Sequence, residues 1–126
     1  MWPGPYGDVG DSRKYLVVSC NQSLKCMGLE YVDNSYSHRV DAETPQKETR
    51  GAFATLHHQD TAAYVGISSY SPDLTVRAAE ILKPHRAPLL IHWLAVLFQA
   101  QLLDRGELLE TLGNLGIGCI AFSPPA

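Results

Sequence analysis

Cysteine is too scarce in this chain to hold a fold together. Three are present, Cys20, Cys26 and Cys119, an odd number with no Cys-x-x-Cys spacing. That argues against a disulfide framework and against a zinc site. Cys20 and Cys26 lie six apart and fall on different faces of a helix. Charge is scarce too. Charged residues make up 18% of the chain and the net charge is −3. No surface for nucleic acid or for an anionic membrane is therefore expected. No apolar run reaches the roughly 20 residues of a bilayer span; the longest, around Leu89 to Leu97, is interrupted by His92. The opening Met1-Trp2-Pro3-Gly4-Pro5 has neither a basic n-region nor an apolar h-region. A signal peptide is not expected, and a cytosolic setting is.

What remains is an ordinary globular mix, 126 residues with 45% hydrophobic, enough for one domain spanning 1–126. Residues 1–11 read as a loop rich in Gly, Pro and Asp. Ser12 is a helix cap, and Leu16, Cys20, Leu24 and Met27 form one stripe up to Gly28, a C-cap. Leu29 to Ser37 reads as a strand. A turn over Asp41–Pro45 opens a helix to about His58. Ala62 to Ser68 is a strand of small and branched residues, the composition of a strand covered on both faces. Ser71-Pro72-Asp73 starts a helix that Lys83-Pro84 ends. Pro88 to His92 is a third strand, 93–103 is ambiguous, Asp104 to Leu115 is helical, and 116–122 is a fourth strand. Strands alternating with helices predict parallel pairing with right-handed crossovers. Four such strands are too few to close a barrel. They leave two open edges, through which the chain could self-associate. The chain thus reads as the middle of a larger α/β protein.

Two polar clusters stand where apolar runs end: Tyr36-Ser37-His38-Arg39-Val40-Asp41 and Gly66-Ile67-Ser68-Ser69-Tyr70-Ser71-Pro72. Loops after the carboxyl ends of parallel strands are where such folds hold their chemistry. A histidine and a serine pair there suit the handling of a carbonyl. Other signals are weaker. His57 and His58 are adjacent, so they splay about 100° apart on a helix and cannot easily share a metal. Gly113-Asn114-Leu115-Gly116-Ile117-Gly118 looks like a dinucleotide fingerprint but precedes a strand instead of following one.

Together, several segments resemble the aldo-keto reductases. They are Met1 to Gly7, Ser12-Arg13-Lys14-Tyr15-Leu16, Gln22 to Lys25, Met27 to Asp33, Tyr36 to Asp41, Tyr64 to Pro72 and Gly118 to Pro124. The nearest branch looks like the one holding the L-glyceraldehyde 3-phosphate reductases and the potassium-channel β subunits. The resemblance implies an α/β fold, part of a (β/α)8 barrel with about four parallel strands. The chain would run from the loop after strand three to the end of strand seven. It also implies NADPH as cofactor and a small aldehyde as substrate, such as L-glyceraldehyde 3-phosphate or methylglyoxal. In the family a hydride passes to the carbonyl carbon while a tyrosine, tuned by a lysine and an aspartate, protonates the oxygen. A histidine orients the carbonyl, and His38 matches it. Ser68 and Ser69 match the pair that holds the nicotinamide carboxamide, though they also suit a plain helix-start turn. Phe122 matches the ring that stacks on the nicotinamide, or is core. Ser123 matches a position near the pyrophosphate.

Departures from the family pattern are equally specific. No residue of this sequence matches the tyrosine, lysine or aspartate; Tyr36 and Lys14 are not at the motif positions. Activity and cofactor binding are therefore expected to be weak in this chain alone, and a non-catalytic fragment or interaction module is the alternative. Trp93 stands where the family has a glutamine that contacts the carboxamide, and an indole cannot supply an amide's paired donor and acceptor. An insertion or a compensated frameshift over 93–103 would account for this. Asp60-Thr61 replaces the usual Gly-Lys before the following strand.

Overall fold

A computed structural model of the chain describes residues 10, 12–95 and 102–122. Helix α1 spans Arg13–Met27. Ser12 caps it by accepting from the Tyr15 N–H at 3.3 Å. Gly28 ends it at φ +68, its N–H turned back to the Leu24 and Lys25 carbonyls. A residue with a Cβ would be strained there. Leu24 is buried, and Leu16 and Cys20 pack on the core. Met27, expected on the same stripe, is exposed. The main partner of α1 is the next helix of the chain.

Strand β1 is Val32–Ser37, shorter than the sequence suggests. Helix α2 is Gln46–His58. Strand β2 is Ala62–Ser68, with the bounds expected. Helix α3, Pro72–Leu82, starts with Ser71 as cap and Pro72 in the first turn. A 3-10 turn at Lys83–His85 follows. Strand β3, Leu89–Ala95, runs past His92 and takes in Trp93. Helix α4 is Leu102–Leu115 and strand β4 is Gly118–Phe122.

The four strands form one sheet in the order β1-β2-β3-β4, and every pair is parallel. Parallel neighbours need long crossovers, and α2, α3 and α4 supply them. The helices pack on one face. Phe53, Ala54, Leu56, Val65, Leu82 and Ala87 form the main core there, joined by Leu16, Val17, Cys20, Val32 and Leu89. Leu108, Leu112 and Ile117 make a smaller cluster under α4. The opposite face of the sheet is different. Tyr64, Trp93 and Ile120 stand on it 40%, 40% and 43% exposed. Covering by helices is thus one-sided among the described residues, where the composition of β2 suggested two covered faces.

Candidate active site

The register brings the two polar clusters to one end of the sheet. Ser37, the last residue of β1, pairs with Ile67, and His38 and Ser68 are the residues that follow each. Ser68 in turn pairs with Trp93, and Trp93 with Ile120. Alternation along a strand puts Tyr36, Gly66, Ser68 and Trp93 on one face, the uncovered one. Parallel pairing thus brings the residues that precede His38 and Ser68, Ser37 and Ile67, side by side.

Ser68 is buried and Ser69 exposed. Their hydroxyls stand 3.5 Å apart. Ser69 has φ +58, a region that non-glycine residues seldom occupy and that clusters at functional sites. Its N–H donates to the Trp93 carbonyl at 3.1 Å, tying the turn after β2 to β3. His38 is exposed. Phe122 is the last residue of β4, paired with Ala95. Ser123 lies outside the described residues.

Tyr36 and Trp93 form a tilted aromatic pair, ring centroids 5.3 Å apart. Gly66 makes room for it. A Cβ on Gly66 would come within 2.3 Å of the Tyr36 ring. Burial pushes the Tyr36 phenol up from its ordinary value. Gly66→Ala should force the ring off its seat, costing about 1–3 kcal/mol as overpacking does. Urea unfolding measures the loss, and a changed Trp93 emission marks the broken pair.

His92 lies beneath this end of the sheet, fully buried. Its Nε2 is 3.3 Å from the Tyr70 carbonyl. A carbonyl only accepts, so the ring carries its proton on Nε2. Nδ1 has no partner. Burial lowers the His92 pKa, against the smaller effect of the Tyr70 bond. The unfolded chain therefore takes up this proton first as pH falls. Stability is unaffected by His92 above about pH 6.5. Below that it should fall, by at most about 1.4 kcal/mol per pH unit, until the folded form protonates as well. Comparing urea midpoints of the wild type and His92→Asn between pH 7.5 and pH 5 isolates this slope, which the variant should lack.

Burial also raises the Cys20 and Cys119 thiols. All three cysteines are free. Among the described residues no group of histidine, cysteine and carboxylates could hold a metal ion. A cavity of about 650 Å³ opens at the amino end of β3, lined by Val76, Ala79, Lys83, Pro88 and Leu115 among others. It lies at the opposite end of the sheet from the clusters and takes no part in the site.

Three residues of this end escaped sequence reasoning: Arg50, Tyr70 and Ser37 as a bonded group. Tyr70 was visible only as a member of a motif, and nothing in the α2 pattern marks Arg50 as buried.

The model of the aldo/keto reductase family matches residues 5–126. The chain belongs to the aldo/keto reductase family. Over its whole length it is 55% identical to the L-glyceraldehyde 3-phosphate reductase of Escherichia coli (strain K12). It spans only 36% of that relative. Aldo-keto reductase str7 of Strobilurus tenacellus is 33% identical over 95% of the chain, which spans 34% of that protein. Among solved structures, the thermostable aldo-keto reductase Tm1743, in complex with the inhibitor epalrestat, superposes with a TM-score of 0.78. Identity there is 26%, covering 90% of this chain and 40% of that one. Aldo-keto reductase AKR11C1 from Bacillus halodurans shares the fold at 20% identity, with a TM-score of 0.72 over 90% of this chain and 37% of that one. The four parallel strands of the aldo/keto reductase chain thus correspond to part of a TIM barrel.

Proposed function

We propose that the aldo/keto reductase chain carries the carbonyl-orienting and nicotinamide-holding part of an NADPH-dependent reductase for a small aldehyde, such as L-glyceraldehyde 3-phosphate or methylglyoxal. The observation that carries this reading is the parallel register, in which Ser37, just before His38, pairs with Ile67, just before Ser68. When bound, NADPH supplies the hydride. The two serine hydroxyls fit a carboxamide, since each can donate and accept. Phe122 and Ser123 extend the cofactor-holding set on the resemblance alone. His38 is exposed and can direct an N–H at a carbonyl oxygen as negative charge grows there. Its role is orientation. The proton that completes the alcohol needs an acid placed within reach of that oxygen, which the family's tyrosine would provide. A cytosolic setting belongs to the same reading.

A graft tests it. Residues 1–126 replace the matching segment of the E. coli reductase, and NADPH oxidation is followed with aldehyde. The graft should be active, and His38→Ala should lower kcat by about 10² or more. Equal rates with and without His38 would refute its role.

One observation favours a second reading, an interaction module that pairs with another copy of itself. Tyr64, Trp93 and Ile120 are exposed on the uncovered face, Trp93 and Ile120 side by side, and among the described residues β1 and β4 each have one neighbour. Such edges invite pairing. Light scattering decides between a dimer and a well-behaved monomer, and a monomer at high concentration removes this reading.

A further inference from the structure

His38 and Ser69 are both exposed, so neither is fixed by its own burial. Tyr70 follows Ser69 directly and is 3% exposed. Its hydroxyl lies 2.9 Å from Ser37 Oγ, on the residue that directly precedes His38. The same hydroxyl is hydrogen-bonded to Arg50 Nη2. Arg50 is fully buried on α2. Its guanidinium also lies over the Tyr70 ring, 4.9 Å from the centroid. Ser37 Oγ continues to the Arg39 carbonyl at 3.3 Å.

These bonds have one direction only. A guanidinium donates and never accepts, so the Tyr70 oxygen accepts from Arg50. A carbonyl accepts only, so Ser37 spends its single proton on Arg39. The Tyr70 proton must therefore go to Ser37. The chain runs Arg50 to Tyr70 to Ser37 to the Arg39 carbonyl, and its last bond spans His38. A charged donor at the head strengthens each bond that follows. The Tyr70 carbonyl also holds the buried His92 ring of β3.

We propose that Arg50 and Tyr70 are positioning residues, whose directed hydrogen-bond chain through Ser37 sets the His38 turn and the Ser68–Ser69 turn in one fixed relation. Tyr70 is the shared member: its backbone follows Ser69 and its hydroxyl reaches the turn of His38. One residue therefore couples the carbonyl-orienting part of the site to the cofactor-holding part. Calling this coupling positioning rests on the reductase reading, whereas the coupling itself does not.

The test uses amide and side-chain NMR of the 126-residue chain without cofactor or substrate, so the proposal and the reductase reading can fail separately. Ser37→Thr and Ser37→Val have the same shape and differ in the hydroxyl. Thr should leave the His38 and Arg39 amide signals near their wild-type positions, and Val should displace them. Tyr70→Phe keeps the ring and removes the hydroxyl; it should displace the signals of His38 and Ser69 together. If Thr and Val give the same spectrum, the chain of bonds does not hold the His38 turn. If Tyr70→Phe moves one turn and not the other, there is no coupling. Should Tyr70→Phe fail to fold, the Thr and Val pair decides alone. In the graft described above, Ser37→Val should lower kcat by about 10² while KM changes little, as expected for a misplaced orienting group.

Discussion

With methylglyoxal and NADPH, the 126-residue polypeptide on its own should turn over at least about 10²–10⁴-fold more slowly than a full-length relative, the range a positioned acid contributes. Adding a hydride to a carbonyl carbon leaves an alkoxide, which must be protonated as it forms. In the proposed reading His38 steadies the growing charge, but it is one group where the family resemblance calls for four. The described residues at this end of the sheet offer no replacement acid. Tyr36 packs against Trp93, and burial has raised its pKa, which makes it a poorer proton donor. Tyr70 is buried and gives its proton to Ser37. An aldehyde-dependent fall in NADPH absorbance at the rate of a full-length relative would contradict this expectation.

The second large effect concerns the asymmetry of the sheet. Phe53 is 1% exposed in the helix-side core. Phe53→Ala should cost about 3–5 kcal/mol, the transfer of a large ring plus the cavity left behind. A domain of this size holds only about 5–15 kcal/mol in total, so much of its stability goes. Tyr64, on the other face, is 40% exposed. Tyr64→Ser should change the stability of the monomer by less than about 0.5 kcal/mol. Urea midpoints at unchanged slope measure both. Similar losses for the two would mean that the face carrying Tyr64 is also covered, by a second copy or by further chain.

Much of this architecture is legible in the residues themselves. Ser12 and Gly28 bracket α1 because one accepts a free N–H and the other tolerates a positive φ, and both are local effects. The bounds of β2 are legible for a similar reason: Thr61 and Ser69 stand outside a run of small and branched residues. Alternation of strand and helix implied parallel pairing, and in the parallel sheet Ser37, before His38, pairs with Ile67, before Ser68. The misses come from tertiary structure. Met27 fits the apolar stripe of α1 but lies exposed at its last turn. Trp93-Leu94-Ala95 suits a buried helix as well as a strand, and pairing with β2 and β4 decides for the strand. Arg50 reads as a surface residue of α2. The Tyr70 ring and hydroxyl, brought in from 20 residues away, help give its charge a buried place, together with Gln46 on its own helix.

The relation of the two polar clusters depends on the direction in which β1 and β2 run. Long-range nuclear Overhauser contacts of the Ser37 amide and α protons report it directly. Contacts to Ile67 and Ser68 are predicted, since Ser37 pairs with Ile67. Contacts to Ala62 in their place would mean antiparallel strands, and would carry His38 to the far end from the two serines.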